Sequence, residues 1–336
     1  MRAFVVTAPG VAGVQDVPEP RPGPGEVVVE VTRVGVCGTD VEFFSGDMEY
    51  LLSGHAAYPM RLGHEWCGTV VEVGEGVDPT WVGRRTTGDT MLGCDECRRC
   101  RSGLPHVCED RYEVGIRGGF PGALAERMAY PARWLHPLPD EVDDVAGAMV
   151  EPAGNALRSV EGAGLHAGER LLVAGPGTIG LLVALFARSR GADVHLLGRS
   201  ERSRRFAADL GLSIWTRDTL PAGPWDAVVD ASNSAEMPAL ALELVEPGRR
   251  VVFVGLATVP TPVDSRDVLL KDVTAVGILG GSLGLDGAIA AFADGSVDPR
   301  PLVAATVGLD GVAAVLAGER PSGAGAGPKV HVDPRR

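Results

Sequence analysis

The sequence predicts an α/β chain of two domains, the first β-rich and barrel-like, the second a doubly wound parallel sheet. Three observations carry this. The chain has 336 residues, enough for two hydrophobic cores and more than one domain usually takes. Before about residue 145, short apolar runs alternate with Pro/Gly turns, and no long segment of helical period occurs. From residue 171 onward, strand-like and helix-like runs alternate, which is the pattern of βαβ units.

The elements follow in order. Residues 20–25 form a Pro/Gly-rich turn, and 27–31 (Val-Val-Val-Glu-Val) read as the strand after it. Residues 70–73 are another strand, closed by Gly74 and Gly76. Short strands at this spacing suit a barrel-like domain over residues 1–150. Residues 144–162, rich in Ala, Met and Val, read as one helix at the change of domain. Strands are expected at 171–174, 193–197, 227–230 and 251–255, with helices at 201–210 and 235–244. These make a second domain over 151–284. The remainder, 285–336, carries a helix at 286–293 and a last strand near Val330, and is expected to return to the first domain.

Composition excludes several classes. Apolar residues make up 45% and charged residues 22% of the chain, which is globular and not disordered. The formal charge is −13, and only Lys271 and Lys329 among the 31 basic residues are lysine. An acidic chain without a basic run is a poor partner for nucleic acid or an anionic membrane. Residues 171–187 are uncharged but interrupted by Gly175-Pro176-Gly177, so they read as a buried strand turning into a buried helix. The opening residues hold no apolar run of signal-peptide length. A cytoplasmic protein with reduced thiols is expected.

Four of the six cysteines fall at 94, 97, 100 and 108. Two CxxC steps wrap one loop around an ion, and a fourth thiolate closes the tetrahedron. A structural zinc in a lobe over residues 90–112 is the expectation; an iron–sulfur cluster also fits the spacing alone. Cys37, in Cys37-Gly38-Thr39-Asp40, His64 and Glu65, in Gly63-His64-Glu65, and Glu151 are of zinc-ligand type. Three protein ligands with an exchangeable position describe a catalytic zinc, but their spacing alone does not separate this from an ordinary structural pair. Cys67 reads as packing.

Residues 175–180, Gly175-Pro176-Gly177-Thr178-Ile179-Gly180, follow a strand and open a helix. In that context the three glycines serve a tight turn, close approach to a pyrophosphate, and helix–strand packing. The second strand ends in Gly198-Arg199-Ser200. A site for NAD usually places an acidic residue there. Arg199 suits a 2′-phosphate, with Ser200 donating a hydrogen bond and Arg204 adding charge. NADP is therefore favoured over NAD. A solvated helix start accounts for the same arginines, and Glu201 weighs the other way.

Together these motifs, with Glu151-Pro152 and Asp230-Ala231-Ser232, resemble the zinc-containing medium-chain alcohol dehydrogenases over nearly the full length. The resemblance implies a GroES-like catalytic domain broken by an inserted Rossmann domain. It implies two zinc ions per chain. Cys37, His64 and Glu151 would bind the catalytic one, with Glu65 either a further ligand or a group behind the ligands. Thr39 would relay the substrate proton. Gly175, Gly177, Thr178, Ile179, Gly198, Arg199, Ser200, Arg204, Ser232 and Gly255 would line the dinucleotide site. Many members carry a histidine five residues after the motif cysteine, where this chain has Glu42, so the relay would end at Glu42, at His55 or in bulk water. The CGTD-x-E pattern and the Trp66, 82–84 and 108–110 contexts resemble sugar-oxidising members and aminocyclitol dehydrogenases such as the 2-deoxy-scyllo-inosamine group. A polyhydroxylated alcohol or ketone is the implied substrate. The rivals are a threonine- or butanediol-type dehydrogenase and a silent nucleotide-binding protein. A homodimer or homotetramer is implied, through strands around 251–254 and 275–278.

Overall fold

The computed structural model describes residues 1–336. The chain divides into two compact units. The first comprises residues 1–151, 298–325 and 329–336, and the second residues 152–297 and 326–328. The chain thus leaves the first unit and comes back to it. The return falls at Asp298, not at 285, so helix Leu285–Ala293 belongs to the second unit. Its apolar face, with Leu285, Ala288, Ile289 and Phe292 buried, gives the physical reason: Phe292 stacks on Phe186 of that unit at 6.4 Å between centroids.

The first unit is built on a seven-stranded sheet. Strand Glu26–Gly35 is its hub. It pairs antiparallel with Glu65–Val73, Arg127–Pro131 and the C-terminal strand Lys329–Val332. Val27, Val29, Val31 and Val34 are buried against Trp66, Met128, Tyr130 and Val332. Trp66 and Tyr130 meet edge to face at 5.1 Å. The hub strand supplies the β-branched residues a half-buried sheet favours.

The second unit is a six-stranded parallel sheet. Its spatial order is Ser213–Trp215, Asp193–Leu197, Arg170–Ala174, Ala227–Asp230, Arg250–Phe253, Thr274–Gly277. Numbered along the chain this is 3-2-1-4-5-6, the order of dinucleotide-binding sheets. The order reverses beside Arg170–Ala174, which puts the turn after Ala174 and the end of Ala227–Asp230 at the switch point.

Two local expectations change. The helix expected over 144–162 is two, Asp144–Gly147 and Val150–Ala163. Asp143 caps the first, accepting from the Ala146 N–H at 2.8 Å. It stops at Gly147, a poor helix former, whose missing side chain leaves room for Leu138 and Cys67. The short helix Gly38–Ser45 and the strand Ser213–Trp215 were not expected from the sequence, whereas the strand expected around 275–278 is present as Thr274–Gly277. Both unexpected elements are shorter than the window over which a period is read. No helix is long and apolar enough to cross a membrane.

Candidate active site and dinucleotide site

The hub strand ends at Gly35, and two residues later Cys37 stands just before helix Gly38–Ser45. Asp40, in the first turn, is 1% exposed. Its carboxylate accepts from the Cys37 N–H at 2.9 Å and the Gly63 N–H at 3.3 Å. It thereby fastens the two segments that carry Cys37 and His64. His64 Nδ1 lies 3.7 Å from Asp40 Oδ1 and has no closer hydrogen-bond partner. Burial alone would lower the His64 pKa; Asp40 and then Cys37 outweigh it and hold it well above the ordinary value. Thr39 Oγ1 is 3.8 Å from Cys37 Sγ.

Ligand atoms of Cys37, His64 and Glu65 lie within 4.8 Å of one another. A soft thiolate, an imidazole and a carboxylate around one point form a zinc-type donor set. Glu151, in the first turn of Val150–Ala163, is 7% exposed and stands outside that cluster. Glu42 is half-buried, and its pKa is raised by burial and by Asp47. His55 is exposed and bonded to Ser53 Oγ at 2.9 Å.

The four lobe cysteines also converge. Adjacent sulfurs are 3.5–4.0 Å apart. A tetrahedron with zinc–sulfur bonds of about 2.3 Å has edges of about 3.8 Å, so the four thiols fit one ion. The Cys97 and Glu96 N–H groups pull the Cys94 thiol down to about 7. Arg111 ties the lobe to its surroundings, donating to the Cys108 carbonyl at 3.0 Å, to the Tyr50 hydroxyl at 2.9 Å and to Glu113 at 2.7 Å. Cys67 is buried, and desolvation pushes its thiol up to about 12, as suits a packing residue.

In the second unit, a cavity of about 760 Å³ opens at the switch point. It is lined by Gly175, Gly177, Gly198, Arg199, Ser200, Ser232 and Gly255 among others. Gly175 has φ +91°, which a side chain would strain. A Cβ on Gly180 would collide with the Gly175 carbonyl oxygen, while nothing lies within 4 Å of one on Gly177. Backbone thus approaches the cavity at Gly177 and the helix packs close at Gly180. Gly177 precedes helix Thr178–Ser189, so its free N–H groups face an anion site. Thr178 and Ile179 form the first turn, outside the cavity lining. Asp230 Oδ1 accepts from the Ser232 N–H at 2.9 Å and hydroxyl at 2.7 Å, fixing that rim. Burial raises the Asp230 pKa against those bonds.

Arg199 is exposed at the cavity edge. Ser200 caps helix Glu201–Asp209, accepting from the Ser203 N–H. Arg204 turns back onto the carbonyls of Gly198 and Arg199 and does not line the cavity. It braces the turn that presents Arg199.

Residues 23–140 match the family model of alcohol dehydrogenase GroES-like domains, and 178–294 match that of zinc-binding dehydrogenases. The chain belongs to the zinc-binding alcohol dehydrogenase family. Among its relatives, 2-dehydro-3-deoxy-L-galactonate 5-dehydrogenase of Pseudoalteromonas atlantica is 34% identical, with 88% of each chain covered. L-threonine 3-dehydrogenase of Streptomyces avermitilis is 33% identical over 95% of this chain and 94% of its own. A zinc-binding dehydrogenase of Sinorhizobium meliloti, solved bound to NADP, superimposes with a TM-score of 0.89 at 28% identity, covering 99% of both chains. This dehydrogenase is thus an α/β oxidoreductase acting on a CH–OH group, with a GroES-like and a Rossmann-type unit.

Several of its site residues have no local sequence signal. Lys329 Nζ donates to both Glu65 oxygens, at 2.8 and 2.6 Å. The two residues are 264 positions apart. Arg217, Thr216 and Ser203 line the cavity beside Arg199. Asp40 was visible as part of its motif, but its bracing role was not.

Proposed function

We propose that this dehydrogenase transfers a hydride between NADP and a secondary alcohol or ketone of a polyhydroxylated compound: a sugar, polyol, cyclitol or aminocyclitol. The observation that carries the reaction is the convergence of Cys37, His64 and Glu65. Cys37 and His64 hold a catalytic zinc, Glu151 completes the set, and the four lobe cysteines hold a structural one. When bound, the zinc supplies Lewis acidity toward the substrate oxygen. Asp40 holds His64 and Cys37 in register. Thr39, beside Cys37, takes the alcohol proton through its hydroxyl and passes it on to Glu42, His55 or bulk water. Arg199 and Ser200 bind the 2′-phosphate, while the N-terminus of helix Thr178–Ser189 receives the pyrophosphate.

The relative that acts on a deoxy-galactonate supports the polyhydroxylated class. The threonine dehydrogenases, equally similar, favour a second reading, a small amino alcohol. A panel of sugars, sugar acids, inositols, aminocyclitols and threonine, assayed with NADP and NAD, decides between them. Turnover of threonine alone would sink the first reading. Self-association is also proposed. Thr274–Gly277 is a sheet edge, whereas Arg250–Phe253 is internal, and Leu269 and Leu270 nearby are 78% and 80% exposed. Pairing of that edge covers both features. The free thiols suit the reducing cytoplasm.

A further inference from the structure

Lys329 is one of only two lysines in the chain and is 4% exposed. Its ammonium carries three donors, and three acceptors meet it: both Glu65 oxygens and the carbonyl of Val36 at 3.0 Å. Val36 precedes Cys37. The lysine is therefore fixed to the two segments that carry the metal cluster. Strand register explains the meeting. Gly35 pairs with Glu65 on one side and with His331, two residues beyond Lys329, on the other. A side chain on Gly35 would run into the Glu65 carboxylate. The acid and the ammonium meet in the space that glycine leaves.

Glu65 thus has two claimants. One of its oxygens lies within reach of the point shared by Cys37 and His64, yet both oxygens are already engaged by Lys329. A carboxylate that closes on the metal fills the position the alcohol needs. We propose that Lys329 is a positioning residue that decides whether Glu65 is a ligand: its ion pair holds the carboxylate back and keeps that position open. This rests on the metal reading of the Cys37 cluster given above.

The test follows zinc release from the whole enzyme into a chromogenic chelator, alongside cobalt substitution and titration with imidazole as an added ligand. The release phase that disappears in Cys37→Ser belongs to this site. If the wild type has no such phase, the metal reading itself fails. If it has one, Lys329→Met is expected to slow it about ten- to hundredfold, the scale on which groups behind the ligands alter metal affinity. Imidazole should no longer perturb the cobalt spectrum. Adding Glu65→Gln to Lys329→Met should restore the wild-type rate and imidazole response, and Lys329→Arg should keep them. Removing one partner of a buried pair is destabilising, so Lys329→Gln, which keeps one donor, serves if the Met variant does not fold. It should slow release at least about threefold. Unchanged or faster release in folded Lys329→Met, or in Lys329→Gln, overturns the proposal while leaving the metal reading intact.

Discussion

Arg199→Ala tests the cofactor site most directly. The guanidinium stands at the rim of the cavity, presented by a turn that Arg204 braces through the carbonyls of Gly198 and Arg199. No acidic residue occupies the end of strand Asp193–Leu197, where Gly198 follows directly. A hydrogen bond to a charged group contributes about 1.5–3 kcal/mol. Arg199 is exposed, so solvent screening places the loss near the lower end, about 1.5–2 kcal/mol. That corresponds to about a ten- to thirtyfold fall in kcat/KM for NADP. NAD lacks the 2′-phosphate and should change less than about twofold. Ser200, Ser203 and Arg217 line the same rim and supply the binding that remains. The assay is initial-rate kinetics with each cofactor at saturating alcohol. Equal losses for both cofactors would refute the reasoning, because Arg199 would then be shaping the turn and not reading the phosphate.

Other outcomes are expected together. Cys37→Ser should remove one of two zinc equivalents by elemental analysis and abolish turnover, with the circular dichroism of the wild type retained; a full metal complement and retained activity would exclude Cys37 from the site. Cys100→Ser should remove the other equivalent. Because Arg111 connects the Cys108 carbonyl to Tyr50 and Glu113, proteolysis near residues 50 and 100 should accelerate, and an unchanged digestion pattern would disprove that linkage. His331 is fully buried with neither ring nitrogen partnered, and burial, then Lys329 and Arg33, lower its pKa to about 3. The unfolded chain takes up a proton near the ordinary value of about 6.5 and the folded one does not. Stability from this residue is therefore complete above about pH 6.5 and is lost as pH falls toward 3. From pH 7.5 to 5 the loss is about 2 kcal/mol, so the pH dependence of His331→Leu in urea melts should be flatter by that amount. Parallel curves would refute it.

The chemistry-bearing residues with local spacing were legible in the sequence. The lobe cysteines fall within one loop, and the glycine turn sits between a strand and a helix, so neighbours along the chain are neighbours in space. The parallel sheet was legible because its strands and helices alternate with distinct periods. Elements shorter than the window over which a period is read, such as Gly38–Ser45 and Ser213–Trp215, carried no such signal. The close approach of Cys67 and Leu138 to Gly147, where the helix breaks, is something no local pattern records.

The sequence by itself determined the ligand types, the phosphate turn and the order of the two units, because each rests on covalent spacing or on hydrophobic period. Only the tertiary structure decided what surrounds Glu65. Strand register around Gly35 brings a lysine from the far end of the chain onto that carboxylate, and register is set by the burial of a whole sheet face, not by the residues that meet there. The same holds for Asp40, whose carboxylate joins two separated segments, and for Arg204, whose guanidinium turns back onto the Gly198 carbonyl.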